Sequence, residues 1–350
     1  MPPILGPRTP AGTGPSASVP TLQDGGMDAT PSTQQRAAAA EDAVITAYVH
    51  RYGPVAWAHA ATAGDGARTW HYWWHAHLIH VLAEAERHRP SAARRRLIGD
   101  LLRGVTVRTA GTWITPFYDD IAWMGLALAE TRPHGRARAR IARLLAGAFD
   151  PVVGALPWRT RSVLYNAPAN GPAAMVLAPS RHRALAERMT AWMAAVLDDP
   201  ATGLVRDGIE HGAVRPDLWT YNQGVAIGAA LALGDGTRAG TVLEAVDRWC
   251  AAEEGLFPAA GGGDGGLFAG ILARYLGVAA SRMDGEDADR ARRLLRRNAD
   301  ALWAMRRDGA FPADPRRPAL ATGDDRDLSV QLGAWITLEA DVTASASVTS

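Results

Sequence analysis

The sequence predicts an all-α protein, an (α/α)6 barrel of six helical hairpins, and three observations carry that expectation. Apolar residues recur at spacings of three and four almost throughout residues 38–342, with Gly, Pro or Asp between segments, while strand-type alternation is nearly absent. The helical segments alternate in kind. Amphipathic ones rich in Arg and Glu, such as RARARIARLLAGAF, precede ones apolar on most sides, such as GVAIGAALAL, which marks a buried helix. Finally, each helix of the buried kind opens on a cluster of aromatic and polar residues.

In chain order the spacing predicts helices near 38–62, 70–88, 91–105, 117–131, 134–148, 166–178, 180–197, 219–233, 237–252, 266–280, 286–305 and 326–340. The clusters are WHYWWHAH (70–77), PFYDD (116–120), YNAPANGP (165–172), WTYNQG (219–224), GGDGGLF (262–268) and DDRDLSVQ (324–331). They recur at about 45–65 residues, a spacing suited to a helical-hairpin repeat with variable loops. Six hairpins whose inner helices all begin this way direct six clusters into one pocket. Residues 1–37, rich in Pro, Gly, Ser and Thr, are expected to form a disordered tail, and 343–350 a short flexible one.

Composition removes several function classes. A formal charge of +1 with Arg and Asp/Glu interspersed argues against nucleic acid or a membrane surface as partner. All 37 basic residues are Arg, so Schiff-base chemistry, pyridoxal phosphate and a P-loop lysine are excluded. The single cysteine, Cys250, is expected to be a small buried apolar residue. His71 and His75 stand i, i+4 on a helix but have no HExxH context and no third ligand, so no metal or cofactor is expected. The longest apolar run, near 224–233, falls short of the roughly 20 residues that span a bilayer. The N-terminal stretch lacks the apolar core of a signal peptide. A cytoplasmic monomer is expected, with secretion by a route not evident in the sequence as the alternative.

The chemistry centres on TPFYDDIAWMGLALAE, in which Asp119 and Asp120 open a helix beside Tyr118 and Trp123. A lone Asp there is ordinarily an N-terminal capping residue. Two in a row between aromatics suit glycosidic cleavage: one carboxylic acid protonates the leaving oxygen, and one carboxylate attacks the sugar or activates water. Mutual repulsion raises one pKa while the helix dipole lowers the other, which supplies an acid and a nucleophile at one pH.

The combination YDDIAWMGLA, NAPANGPAA, DGI at 207–209, TYNQG and GGDGGLFAGILARYLG resembles glycoside hydrolase family 76, the endo-α-1,6-mannanases, over about residues 40–340. That resemblance implies an (α/α)6 fold, a retaining mechanism, a mannan or manno-oligosaccharide substrate, Asp119 as nucleophile and Asp120 as general acid/base. The chain departs from the family pattern at Ala269 and Tyr165, where Lys is usual.

The other clusters supply candidate substrate contacts, each with a structural competitor. Tyr118 beside the Asp pair is a candidate contact, and Trp73, Trp74 and Trp123 suit stacking on the apolar faces of pyranose rings, or are core; Trp219 is open to the same two readings. Asn166, Asn170, Tyr221, Asn222 and Gln223 suit hydroxyl recognition, or cap helices and loops. Asp207 and Asp264 sit in Gly-flanked turns where Asp commonly bonds its own backbone; the resemblance favours substrate contact for both. One of His71 and His75 is expected in the pocket as a hydrogen-bonding residue, with His75 the candidate substrate contact. Trp192, Trp249 and Trp303 fall on outer-helix patterns and read as packing. The alternatives in function are another (α/α)6 sugar enzyme, such as an epimerase with His acid/base residues or an unsaturated-glycan hydrolase, and a non-catalytic glycan-binding protein. Isoprenoid cyclisation is disfavoured because DDIAW lacks the DDxxD spacing.

Overall fold

The structure, a computed structural model, describes residues 30–131 and 134–346, and the described residues from Ser32 onward belong to one compact unit. Twelve α-helices are present among them: α1 (Thr33–Tyr48), α2 (Tyr72–His88), α3 (Ala92–Arg108), α4 (Tyr118–Glu130), α5 (Gly135–Gly147), α6 (Ala167–Leu177), α7 (Arg183–Trp192), α8 (Thr220–Leu233), α9 (Gly236–Ala252), α10 (Phe268–Arg282), α11 (Gly285–Met305) and α12 (Leu328–Ala346). The even-numbered helices form an inner ring, each packed on the next, and α12 closes the ring on α2. The odd-numbered helices lie outside, α3 on α2, α5 on α4, α7 on α6, α9 on α8, α11 on α10, and α1 on α12. This is the expected (α/α)6 barrel. Among the described residues no helix is long and apolar enough to cross a membrane.

Composition explains the ring. Inner helices are buried on nearly every side, as α12 is from Leu328 to Val342, whereas α11 buries only a stripe at Ala288, Ala291, Leu294, Leu295, Asn298, Ala299 and Leu302. Inner helices also approach closely where a side chain is missing. A Cβ on Gly270 would stand 2.6 Å from the Gly333 carbonyl oxygen, so α10 and α12 touch backbone to backbone. Cys250 is buried on α9 and burial pushes its thiol up to about 12, as its apolar reading requires.

Three boundaries differ from expectation. The helical chain begins at Thr33, inside the stretch assigned to the tail; residues 1–29 lie outside the described residues. Ser32 and Gln35 form a capping box, and Ala37, Ala40 and Val44 are buried, which anchors a segment whose composition alone would not fold. The helix expected over 38–62 stops at Tyr48, and the chain enters a hairpin of β1 (Val49–Tyr52) and β2 (Val55–Ala58). Its turn uses Gly53 at φ 61° followed by Pro54, a pair that cannot continue a helix. At the other end α12 runs on to Ala346, past the expected limit at 342, with Arg296 of α11 holding both Asp341 and Ser345.

The end of α2 far from its aromatic cluster carries a buried ionic network. Arg89 donates to both oxygens of Glu339 on α12 and to Glu41 on α1, while Arg94 of α3 forks onto Glu41. His88 Nδ1 lies 2.7 Å from Glu339. Four helices from the two ends of the chain are thereby joined. Removing one partner of such a group would strand the rest uncompensated.

Candidate active site

A cleft of about 680 Å³ opens among the N-terminal ends of the inner helices. Its walls carry Trp70, His71, Tyr72 and Trp73 from the start of α2, Thr115 to Phe117, Asp119, Asp120 and Trp123 from the start of α4, and Leu164 and Asn166 ahead of α6. Asp207, Arg215, Trp219 and Tyr221 come from the approach to α8 and its first turn, and Asp264 and Phe268 from the Gly-rich loop into α10.

Asp119 and Asp120 occupy the first turn of α4. Asp119 accepts the Asp120 N–H at 2.9 Å on one oxygen and the Trp158 indole N–H at 2.9 Å on the other. Asp120 accepts only the Thr115 hydroxyl at 3.3 Å. Removal from bulk water dominates both, with Asp264 adding repulsion, and it raises Asp119 to about 7 and Asp120 to about 8. The two differ in their donors: Asp119 has two that favour its anion, whereas Asp120 has one long contact and faces the Asp119 charge. Asp119 therefore ionises first and Asp120 keeps the proton, so one carboxylate and one acid coexist near neutral pH.

The opposite wall is organised by two further carboxylates. Asp264 Oδ1 accepts the indole N–H groups of Trp73 (3.2 Å) and Trp74 (3.1 Å). Asp207 accepts the Tyr221 hydroxyl at 3.4 Å, and burial raises its carboxyl despite Arg215 nearby. Tyr221 stacks on Phe268 with centroids 3.9 Å apart and planes at 1°. Asn166 is buried, and its Oδ1 has no protein partner.

The structure brings Asp119, Asp120, Trp73, Trp123, Asn166, Asp207, Tyr221 and Asp264 together around one cleft. It does not bring the other candidates into the cleft. His75 is fully buried; its Nε2 accepts the Ala58 N–H at 2.8 Å and its Nδ1 donates to the His71 carbonyl at 2.8 Å. Burial lowers it to about 3, so it is a neutral bolt between the β1–β2 hairpin and α2. Trp74 is buried behind Asp264, and Tyr118 turns to the Thr160 hydroxyl. Asn222 is fully buried, and neither its Nδ2 nor its Oδ1 has a hydrogen-bond partner in the protein. Tyr165, one of the departures from the family pattern, gives its hydroxyl to Asp150 at 2.8 Å, outside the cleft.

Asn170 and Gln223 serve a repeated structural device. Asn170 accepts the Leu156 N–H and donates to the Leu156 carbonyl; Gln223 does the same to Val205, and Gln331 to Phe311. Asn298 of α11 accepts the Phe257 N–H in the same manner. Each clamped residue lies two positions after a glycine at positive φ: Gly154, Gly203, Gly255 and Gly309. A buried amide thus acts as a strand-like partner for an incoming loop. Two residues beyond the clamped position stand Trp158 and Asp207, which the loops deliver to the cleft. The signal for Trp158 was in the sequence, as the recurrence GALPW, GLVRD, GLFPA, GAFPA.

The sixth cluster is the larger correction, because it contributes no side chain to the cleft wall. Asp325 is fully buried, accepting the Ala313 and Leu320 N–H groups and both arms of Arg317. Five clusters converge, and the sixth supports them. Of the two histidines considered for the pocket it is His71, not His75, that lines the cleft, and Trp70, Tyr72, Arg215 and Phe268 are wall residues not singled out from the sequence.

Trp158→Phe removes the indole donor to Asp119. A hydrogen bond to a charged group contributes about 1.5–3 kcal/mol, so kcat/KM is expected to fall roughly 10–100-fold, with the acidic limb of the pH–rate profile moved upward. An unmoved acidic limb would rule out this role for the indole.

The model of glycosyl hydrolase family 76 matches residues 32–316. No curated protein matches the chain. Among solved structures, the GH76A alpha-1,6-mannanase of Salegentibacter sp. HEL1_6 is 24% identical with a TM-score of 0.78, covering 89% of this chain and 99% of that one. An inactive variant of that enzyme, with two consecutive aspartates replaced by alanine, is in complex with alpha-1,6-mannotetrose; it gives 24% identity and a TM-score of 0.79 over 89% and 99% of the two chains. The family 76 mannosidase Bt3792 of Bacteroides thetaiotaomicron VPI-5482 is 17% identical with a TM-score of 0.70, covering 91% of this chain and 100% of that one. With the family pattern running over residues 32–316 and an adjacent aspartate pair at the head of an inner barrel helix, the chain belongs to glycosyl hydrolase family 76.

Proposed function

We propose that the protein is a retaining glycosidase that cleaves α-1,6-linked mannan, with Asp119 as nucleophile and Asp120 as general acid/base. The single observation that carries this reading is the unequal hydrogen bonding of two adjacent carboxylates in one cleft. Asp119 has two donors on its oxygens and Asp120 one long contact. Asp120 protonates the glycosidic oxygen as Asp119 attacks the anomeric carbon; the C–O bond to the leaving sugar breaks and a glycosyl ester forms on Asp119. Asp120, now a carboxylate, takes a proton from water, whose oxygen displaces Asp119 and releases the sugar with its original anomeric configuration. Trp73, Trp123 and Trp219 offer apolar faces for the sugar rings.

The substrate assignment is supported by the relatives whose structures are alpha-1,6-mannanases, one of them holding alpha-1,6-mannotetrose. An epimerase would need a pair of acid/base histidines in the cleft; neither His75 nor His77 lines it, which leaves His71 as the one wall histidine among the described residues. His77 is buried, with Nδ1 accepting from Arg274 at 2.9 Å. Incubation with α-1,6-mannan, followed by NMR of the first anomer released, tests the proposal. The α-anomer is expected first; the β-anomer first would overturn retention, and no release at all would favour the glycan-binding alternative.

A further inference from the structure

The sixth inner helix is the one unit of the ring whose opening cluster puts no side chain into the cleft wall, yet its carboxylates touch the loop that does. The Gly-rich loop before α10 has its backbone N–H groups tied across to the segment before α12. Gly262 N–H donates to Asp324 Oδ2 at 3.1 Å and Gly263 N–H donates to Asp327 Oδ2 at 2.8 Å. The next residue is Asp264, whose Oδ1 takes the Trp73 and Trp74 indole N–H groups. The loop is shaped for this contact. Gly261 and Gly263 sit at φ 74° and 56°, and a Cβ on Gly262 would stand 2.7 Å from Asp324 Cβ and 2.8 Å from Asp327 Oδ2. Only glycine permits that approach.

We propose that Asp327, with Asp324, is a positioning residue for Asp264: the sixth unit fixes the place of a cleft carboxylate through the backbone of a loop belonging to the fifth. A loop of successive glycines has no intrinsic preference that would hold an aspartate at hydrogen-bond distance from two indoles, so the constraint must come from outside it. Two carboxylates accepting adjacent N–H groups supply it. Asp264 faces the catalytic pair closely enough that its charge raises both Asp119 and Asp120. It also lines the cleft, so displacing it disturbs sugar binding and eases part of the repulsion on the pair, which stays in place. The kinetic consequence rests on the glycosidase reading; the structural one does not.

The test is a double-mutant cycle in the full chain with Asp327→Ala and Asp264→Ala, reading KM and kcat separately on an α-1,6-manno-oligosaccharide. Asp327→Ala is expected to raise KM about 10-fold with kcat changed by less than about threefold, and to add nothing further in the Asp264→Ala background. Asp327→Asn is expected to restore KM, since its amide oxygen can accept the Gly263 N–H. Near-UV circular dichroism reads the same event without turnover: Asp327→Ala should reproduce the change in tryptophan signal that Asp264→Ala produces. Additive effects on KM, or a tryptophan signal left at its wild-type value, would overturn the proposal. Should Asp327→Ala lower the melting temperature, the solvent-exposed Asp324→Ala runs the same cycle through Gly262. A wild-type protein that cleaves no mannan would remove the glycosidase reading, and the spectra would still decide the positioning role.

Discussion

Asp119→Asn and Asp120→Asn are each expected to lower turnover of an α-1,6-manno-oligosaccharide by about 1,000-fold or more. The two losses should differ in kind. With an activated aryl leaving group, which needs little protonation, Asp120→Asn should recover much of its first step and accumulate glycosyl-enzyme. Asp119→Asn should recover nothing. Equal loss on both substrates for both variants would remove the division of labour. The same substitutions should stabilise the fold. A carboxyl whose folded pKa is raised, here to about 7 and about 8, binds its proton more tightly when folded. Its contribution is fully present below the unfolded value of about 4 and is lost as pH rises through the folded pKa. Asp120→Asn should therefore melt several degrees above wild type at pH 8, and the gap should close toward pH 4. This comparison also excludes misfolding as the cause of lost activity.

Asp325→Ala is expected to produce the largest loss of stability from a single side chain in the supporting cluster. The carboxyl is fully buried and receives two backbone N–H groups at 2.7 Å each and the Arg317 guanidinium at 2.6 and 3.0 Å. Arg317 is part exposed and can turn to water, but truncation leaves the backbone donors around the buried site without their acceptor, a loss of about 1–3 kcal/mol. Denaturant unfolding checks it; a change under about 1 kcal/mol would mean the loop from 311 to 320 finds other acceptors. Desolvation alone would raise the Asp325 pKa, but Arg317 and the two N–H groups prevail and lower it. Its contribution is thus present above the unfolded carboxylate range and is lost as pH falls through the depressed folded value. The acid sensitivity of this cluster is opposite in sign to that of the Asp119–Asp120 pair.

The ring of helices was legible because burial writes itself into spacing: GVAIGAALAL has no polar face and can only be inside. Asp119 and Asp120 were legible because two adjacent acids at a helix start have little structural use. The amides were not. Asn170 and Gln223 open inner helices beside residues that do line the cleft, and nothing local distinguishes an amide aimed at a sugar from one turned back to clamp a loop. The β1–β2 hairpin was invisible for a related reason, since Val49–Tyr52 and Val55–Ala58 are too short for alternation to stand out. Arg215 escaped notice because it ends a strand of three residues, Ala213–Arg215, too short for alternation to mark it.

Closure of the ring, α12 against α2 and α1 against α12, also bears on how the chain is made. The partners that seal the barrel are separated by most of the sequence, so during synthesis the first helices wait for the last. Until α12 emerges, the apolar flanks of α2 and α10 have no cover, and the nascent chain is an open arc with sticky edges. Truncation within α12 should accordingly yield aggregation in place of a smaller, functional protein. Because the two ends of the barrel meet, a chain rejoined there and reopened in an outer loop should still fold.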